Sequence, residues 1–198
     1  MKRRTFDRIV SFVGLGLGVL LIVAAGLLNW GYSFADKAVT SQLAEQKITF
    51  PAANSPALNA LPELDKAVIA KYAGMQLTTG KQAQDYADHF MAVHVRAIGG
   101  GKTYSEISEL ALAAQSAARM APNDATLAAQ AASLMDKRTT LFMGDTLRGL
   151  LGNAYAFWQL GQIAKLSALA ALVGGLLMLV LSLLGLNHLR RTPEDATI

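Results

Sequence analysis

The sequence predicts an all-α protein in which two transmembrane helices flank an extracytoplasmic antiparallel helical bundle. Two apolar stretches, residues 9–28 and 166–186, contain no charged residue. Each has about 20 residues, the length that crosses a hydrocarbon core of roughly 30 Å. Between them, apolar residues recur at spacings of three and four, which is typical of amphipathic helices. No stretch alternates polar and apolar residues as a strand would.

Composition and charge favour a membrane protein over a nucleic-acid-binding one. The chain has 198 residues, of which 53% are apolar and 16% charged; about 25% charged is usual in soluble domains. A nucleic-acid binder would place its basic residues on one face of the folded part. Here the net charge of +4 comes from residues that flank the two apolar stretches. These residues are Lys2, Arg3, Arg4, Arg8, Arg190 and Arg191.

The same basic residues predict the orientation of the chain in the plasma membrane. They precede the first stretch and follow the second, so the positive-inside rule places both termini in the cytoplasm. The chain then divides into a cytoplasmic N-terminus, a transmembrane helix, an extracytoplasmic helical domain, a second transmembrane helix and a cytoplasmic tail. Their predicted bounds are residues 1–8, 9–28, 29–165, 166–186 and 187–198.

A cleaved signal peptide is the alternative interpretation of the first apolar stretch. The start is basic, and Ser33, Phe34 and Ala35 could form a small-residue cleavage site. The apolar region of a signal peptide is usually only about 7–15 residues long, however. Trp30 and Tyr32 also lie where the aromatic belt of a membrane helix belongs. We therefore expect an uncleaved anchor.

Small residues recur at helical spacing in both stretches. Gly14 and Gly18 form a GxxxG pattern in the first, and Ser167, Ala171 and Gly175 are four residues apart in the second. Such faces allow helix backbones to approach closely. The pattern predicts helix packing, either between the two stretches or with a helix of a partner, and the sequence does not choose between them.

The segment between the two stretches predicts four to six helices. We expect the first transmembrane helix to continue through residues 36–48 and to end before Pro51. Residues 50–61 are rich in proline and asparagine and predict an extended loop. Pro62 then suits the first position of a short helix, which Gly74 would end.

Two capping boxes mark the next helix starts, at residues 79–82 and 103–106. The glycines at 99–101 would end the first of these helices, and Pro122 would end the second. The first helix carries one apolar stripe, formed by Ala83, Tyr86, Ala87, Phe90, Val93 and Ala97.

The last predicted helix of the segment begins near Asp124 and runs to about Phe142. Gly144 and Asp145 then indicate either a stop and a new N-cap or one continuous, kinked helix, and both interpretations stay open. Helices of these lengths with short connections are expected to pack as an antiparallel bundle.

The sequence predicts no catalytic, cofactor-binding or metal-binding residue. Asp85 and His89 are one helical turn apart and could share a metal, but His94 lies about 140° further round the helix. A solvated helix face with one intrahelical pair is the favoured interpretation. Residues 99–103, GGGKT, lack the spacing and the preceding strand of a phosphate-binding loop and predict a turn.

The candidate interaction surface lies on the polar approach to the second apolar stretch. Its residues are Arg148, Asn153, Tyr155 and Trp158. Trp158 lies about 32 residues before Arg190, or roughly 48 Å of helix, which places it above the membrane interface. We expect it to pack against protein. The alternative is that this stretch is an ordinary bundle helix.

Several segments resemble a family of small two-span membrane proteins from high-GC Gram-positive bacteria. They are LLNWGYSFA, ITFPAANS, QLTTGKQAQDYADHF, AVHVRAIGGGKTYSE, TLRGLLGNAYAFW and HLRR, which together extend over nearly the whole chain. The resemblance implies the two-span topology and no particular activity. Some such proteins are labelled aromatic-ring-opening dioxygenases, but those iron enzymes need two histidines and a carboxylate in one pocket. His89 and His94 do not share a helix face.

These observations predict a non-enzymatic accessory or scaffold subunit. Its expected partners are the lipid bilayer and another membrane or envelope protein, or a second copy of the chain; no nucleic acid and no cofactor are expected. The alternative is an extracytoplasmic sensor domain that works with a separate cytoplasmic partner. A metal-dependent enzyme that uses His89 and Asp85 is the third hypothesis.

Overall fold

A computed structural model of the chain describes residues 2–191 and residue 193. The described part is helical and contains no strand, and an isolated antiparallel bridge joins Thr49 and Gln76. It divides into two compact units, one made of Met1–Lys37 with Gln159–Ile198 and the other of Ala38–Trp158. The all-α prediction is therefore confirmed for the described residues. Part of the predicted tail, residues 187–198, lies outside them.

The helices follow one another with short connections. In chain order they are α1 (Arg3–Glu45), α2 (Pro56–Asn59), α3 (Glu63–Ile69), a 3₁₀ turn (Ala70–Tyr72), α4 (Gly80–Tyr86), a π-helix (Ala87–Met91), α5 (Ala92–Gly99), α6 (Tyr104–Met120) and α7 (Ala125–Leu189).

Two of the described helices, α1 and α7, are long and apolar enough to cross a membrane. They have 43 and 65 residues, and a crossing takes about 20. Only 17% of the most apolar window of α1, and 11% of that of α7, is buried within the protein. A core helix of a soluble protein would bury most of such a window. Most of the apolar surface of these two helix segments is therefore exposed and could contact an apolar environment such as lipid.

In the unit formed by Met1–Lys37 and Gln159–Ile198, α1 and α7 pack closely through small residues. A Cβ atom added to Gly18 would lie 3.2 Å from the carbonyl oxygen of Gly175, and one added to Gly175 would lie 3.0 Å from that of Gly18. The Ser182 hydroxyl fills the space beside Gly14, 2.5 Å from where a Cβ would be. The residue numbers of the contacting pairs increase along α1 and decrease along α7, so the two segments are antiparallel.

The buried positions of this contact repeat every seven residues. On α1 they include Ser11, Gly18 and Ala25, and on α7 they are Gly161, Ala168, Gly175, Ser182 and Leu189. A seven-residue repeat keeps one face of each helix towards its partner. Gly14, Gly18 and Gly175 belong to this contact, Ala171 is half-buried and Ser167 is exposed. The two apolar stretches thus pack on each other, although Ser167 lies outside their contact.

The unit Ala38–Trp158 has its own hydrophobic core. Phe50 stands at its centre, with its ring 4.9 Å from that of Tyr72 and 5.2 Å from that of Tyr86. Phe50 is 2% exposed and the neighbouring Ile69 and Leu77 are 0% exposed, so water is excluded around the aromatic rings. Ring pairs at such distances add stability beyond their buried area. Apolar residues of α1, α3, α4 and α7 surround this centre: Val39, Leu43, Ile69, Ala83 and Leu151.

The predicted helix ends are confirmed where they depend on local chemistry. Both capping boxes, at Thr79 with Gln82 and at Thr103 with Glu106, make their two reciprocal hydrogen bonds. Gly100 and Gly101 end α5 with φ angles of 60° and 83°, a left-handed conformation that glycine adopts without steric cost. The segment 99–103 is therefore a turn between two helices.

The sequence leaves two interpretations open at Gly144, and the structure has the continuous helix, since α7 runs through this residue without a break. A side chain at Gly144 would come within 2.6 Å of the Val95 side chain, so glycine permits close packing there. Two predicted details differ from the structure. The predicted loop at 50–61 contains the single turn α2, which Ser55 caps. Pro62 is the N-cap of α3 rather than its first residue.

The apolar stripe of α4 and α5 also ends earlier than predicted. Ala83, Tyr86 and Ala87 are buried, but Ala97 is exposed. The π-helix Ala87–Met91 lies between them, and its i→i+5 hydrogen bonds turn each residue less than an α-helix does. Phe90 and Val93 still pack against the core but are only half-buried, and Ala97 leaves the buried face.

We predict that Gly80→Ala destabilises the protein by about 1–3 kcal/mol, since a Cβ there would collide with Cβ and Cγ of Trp158, atoms close to the α7 backbone. The measurement is urea unfolding of the full chain in mild detergent. Gly149→Ala is the control, because no atom lies within 4 Å of its added Cβ. That substitution should be neutral or stabilising by up to ~1 kcal/mol. Equal effects of the two substitutions would contradict the Trp158 contact.

We also predict that the double substitution Gly14→Cys with Ser182→Cys forms an intramolecular disulfide under mild oxidation. The Ser182 Cβ lies 3.8 Å from the Cβ position at Gly14, within the range of roughly 3.5–4.5 Å found in disulfides. The natural chain has no cysteine, so a shift in gel mobility reports this pair alone. Gly16→Cys with Ser182→Cys should stay reduced, since no atom lies within 4 Å of a Cβ at Gly16. Oxidation of both pairs to the same extent would refute the register.

Candidate functional site

The candidate site is a groove of about 480 Å³ on the unit Ala38–Trp158. The end of α1 and the following Ile48 form one side, and the middle of α7 forms the other. We call it the amide groove, because three amide side chains line it together with apolar residues. The amides are Gln42, Gln46 and Asn153.

The floor of the amide groove belongs to the hydrophobic core, while its rim is open. Val39, Leu43 and Leu151 of the floor are at most 5% exposed. Leu150 and Phe157 of the rim are 62% and 40% exposed. A buried apolar floor with exposed apolar side chains above it is the arrangement found at the centre of protein interfaces.

The polar groups of the groove are neutral. Gln42, Gln46 and Asn153 are exposed, and each carries both a donor and an acceptor. No ionisable residue is among those that line the groove. The groove therefore suits an apolar ligand surface with hydrogen-bonding groups at its edge, and it offers no charge that would fix a strongly ionic ligand.

Of the four residues predicted as an interaction surface, only Asn153 lines the groove. Trp158 is half-buried and packs on Gly80 at the start of α4. The Tyr155 ring lies 6.2 Å from that of Trp158. Trp158 packs against protein, as the sequence predicts, and contacts the core of the unit.

Arg148 has a structural partner on the π-helix. Its Nε donates a hydrogen bond of 3.2 Å to the carbonyl oxygen of Ala87, which also accepts from the N–H of Ala92. Its Nη1 lies 3.3 Å from a carboxylate oxygen of Asp145. Arg148 therefore joins α7 to the π-helix, and its guanidinium is partly occupied by the fold itself.

A buried carboxylate ties α4 to the 3₁₀ turn. Asp85 is 5% exposed and accepts hydrogen bonds of 2.8 Å from the Tyr72 hydroxyl and from Lys81 Nζ. Burial raises the pKa of the Tyr72 hydroxyl above its usual 10.0, and the hydrogen bond to Asp85 and the negative charge of Asp85 raise it further. All three effects favour the neutral hydroxyl, which is the form that donates to Asp85.

The predicted pairing of His89 with Asp85 is wrong. His89 Nδ1 lies 2.8 Å from a carboxylate oxygen of Asp65 on α3, and Asp85 is held by Tyr72 and Lys81. His89 lies in the π-helix, whose wider turn places it out of register with Asp85. Among the described residues, no group of three or more histidines, aspartates or glutamates is placed to hold a metal ion.

The residues predicted to lie at the membrane interface are mostly exposed. This holds for Lys2, Arg3, Arg8, Arg190 and Arg191, whereas Arg4 is half-buried. Trp30 is 68% exposed, and its ring stacks at 6.0 Å on that of Phe34, one turn further along α1. These positions leave the side chains accessible to surroundings outside the protein.

The sequence does not predict the α1 side of the groove. Gln42 and Gln46 are four residues apart, and Val39 with Leu43 forms the neighbouring apolar spacing. That spacing indicates an amphipathic helix but not its neighbour. On α7, Leu150 and Phe157 are seven residues apart and both are exposed. Two large apolar residues at this spacing are the feature of the sequence that could have indicated this side of the groove.

In comparisons with protein-family models, curated proteins and solved structures, no match to the chain was found. The resemblance described from the sequence motifs stays a prediction.

We predict that the free energy of unfolding falls as the pH rises above about 10, and falls less in Tyr72→Phe. Above the usual pKa of 10.0 the unfolded chain loses the Tyr72 proton while the folded protein still holds it. The stabilisation is therefore present below pH 10 and is lost as the pH passes the raised pKa. At neutral pH, Tyr72→Phe should cost about 0.5–1.5 kcal/mol for the lost hydrogen bond.

Denaturant unfolding at a series of pH values, for the natural chain and for Tyr72→Phe, is the measurement. Parallel stability curves between neutral pH and the alkaline limit would show that the Tyr72 hydroxyl is not linked to folding. Tyr104→Phe is the control, because Tyr104 lies away from Asp85, on α6.

Proposed function

We propose that this chain is an integral membrane protein that works as a non-enzymatic accessory or scaffold subunit. In this proposal residues 9–28 and 166–186 cross the plasma membrane, both termini are cytoplasmic and residues 29–165 are extracytoplasmic. The observation that carries the proposed role is the amide groove on the unit Ala38–Trp158, which would bind another membrane or envelope protein, or a second copy of the chain.

Membrane insertion is supported by the exposed apolar surface of α1 and α7. Leu27 and Leu181 are 67% and 66% exposed, and many apolar neighbours on both helices are similarly open. In water such surface would be unfavourable by about 25 cal/mol per Å², whereas lipid acyl chains would cover it. The exposed basic residues before and after the two stretches support the cytoplasmic placement of the termini.

Protein binding is supported by the chemistry of the amide groove. The exposed Leu150 and Phe157 stand beside neutral amides over a buried floor. Apolar anchors with hydrogen-bonding groups at their edge are typical of protein interfaces, where charged residues are depleted at the centre. A partner helix with an apolar face and a polar margin would match both parts of the groove.

A sensor domain is the second candidate function, and the volume of the groove favours it. About 480 Å³ is within the range of roughly 300–1,000 Å³ of small-molecule sites. Such a sensor would need a separate cytoplasmic protein for output. Raised thermal stability of the purified chain with one class of metabolite, reversed by groove substitutions, would support the sensor over the scaffold.

We predict that the full chain, purified in mild detergent after cross-linking in native membranes, carries a stoichiometric partner or is a defined oligomer, and that Leu150→Asp weakens this association. A carboxylate in an apolar contact is unfavourable unless it is paired, so binding should fall at least ~10-fold, about 1.4 kcal/mol. Mass analysis of the cross-linked complex is the readout.

Leu112→Asp is the matched control. Leu112 is also a large apolar residue, 52% exposed, but it lies on α6 of the same unit and does not line the amide groove. It should leave the association intact. A monomer at all concentrations and without partner, or equal loss in both variants, would contradict the proposed role of the groove.

A further inference from the structure

A second groove, of about 500 Å³, lies in the unit formed by Met1–Lys37 and Gln159–Ile198. It runs between α1 and α7, and we call it the lysine groove. Its chemistry changes along its length, from polar at one end to apolar over the rest. The residues that define this change are Ile22, Gly26, Asn29, Lys165, Leu169 and Leu172.

The polar end of the lysine groove coincides with the ends of both apolar stretches. Asn29 directly follows residues 9–28, and Lys165 directly precedes residues 166–186. If the two stretches cross a membrane, Asn29 and Lys165 lie at the depth of the lipid headgroups and the apolar part of the groove lies at the depth of the acyl chains. The polar headgroup of an amphiphile would then lie beside Asn29 and Lys165, and its apolar chain would lie in the apolar part of the groove.

The ammonium of Lys165 contacts an aromatic ring of α1 and is exposed at the polar end of the groove. Its Nζ lies 4.9 Å from the centroid of the Tyr32 ring, a cation–π contact that restrains the side chain. None of the ion pairs found between the described residues includes Lys165. An ammonium in this position is complementary to an anionic phosphate, and the Asn29 amide adds neutral hydrogen-bonding capacity next to it.

The apolar part of the groove exists because the residues at its base are small. Ala25 and Ala168 are 5% and 7% exposed and pack where the two helices meet. Gly26 contributes no side chain, and no atom lies within 4 Å of the position of an added Cβ. Ile22 and Leu172 flank this space. The result is an apolar channel next to Lys165, and free phosphate or a headgroup without its chains would leave it unfilled.

We propose that the lysine groove is a binding site for an anionic phospholipid, with the lipid phosphate at Lys165 and Asn29 and one acyl chain over Gly26 between Ile22 and Leu172. This proposal rests on the membrane insertion proposed above and does not depend on the partner of the amide groove. It assigns the chain a lipid preference: phosphatidylglycerol is bound in preference to phosphatidylcholine, whose choline cation opposes Lys165.

The test is native mass spectrometry of the full chain in mild detergent, titrated with phosphatidylglycerol, phosphatidylcholine or glycerol 3-phosphate. We expect one lipid adduct, with phosphatidylglycerol bound about five-fold more tightly than phosphatidylcholine, the preference that one lysine near a membrane surface provides. Glycerol 3-phosphate should not bind or compete. Equal binding of the two lipids, or displacement by glycerol 3-phosphate, would overturn the proposal.

Two pairs of variants separate charge from space. Lys165→Gln should make the two lipids bind equally, while Lys37→Gln, at an exposed lysine of α1 outside the groove, should keep the preference. Gly26→Leu should fill the channel and remove the adduct, while Gly16→Leu should retain it. Both glycines are exposed on α1 with no atom within 4 Å of an added Cβ, and only Gly26 lines the groove. Identical behaviour within either pair would reject the site.

Flotation with phosphatidylcholine vesicles distinguishes the two proposals. If the chain does not float with the vesicles, the membrane assignment is wrong and the lipid site fails with it. If it floats but shows no preference for phosphatidylglycerol, the lipid site alone is wrong.

Discussion

The close approach of α1 and α7 at Gly18 and Gly175 is the contact on which the rest of the unit Met1–Lys37 with Gln159–Ile198 depends. Each glycine lies against the carbonyl oxygen of the other, so neither position has room for a side chain. The hydroxyls of Ser11 and Ser182 fill the spaces beside Gly185 and Gly14. Small residues fill the contact at these points, and the larger apolar residues lie on the outer faces of the two helices. The lysine groove opens where the contact is made by alanines, at Ala25 and Ala168.

The features that the sequence predicts well are those with a local cause. A capping box needs only four consecutive residues, so the starts of α4 and α6 follow from Thr79 and Thr103. The two apolar stretches likewise need only length and composition. Gly144 is ambiguous in the sequence because a glycine can end a helix or permit close packing within one, and the contact with Val95 is visible only in the structure. The π-helix has no local signature that separates it from α4 and α5.

The sequence predicts only the part of the candidate site that depends on local patterns. Asn153 is a polar position of an amphipathic stretch, and it lines the amide groove. Arg148 is another polar position of the same stretch, but its Nε donates a hydrogen bond to the carbonyl oxygen of Ala87, 61 residues away in the chain. The groove joins residues near Leu43 to residues near Leu151, and helical periodicity reports a buried face without identifying what covers it.

The seven-residue repeat of small residues has a consequence for how this chain can vary. If residues 9–28 and 166–186 cross a membrane as proposed, one aliphatic side chain can replace another on their outer faces as long as it remains apolar. On the inner face the criterion is volume, and an exchange of glycine for leucine at Gly18 or Gly175 is excluded although it increases hydrophobicity. Two substitutions with the same gain in apolar character thus have opposite consequences, and the space that the facing helix leaves at each position decides between them.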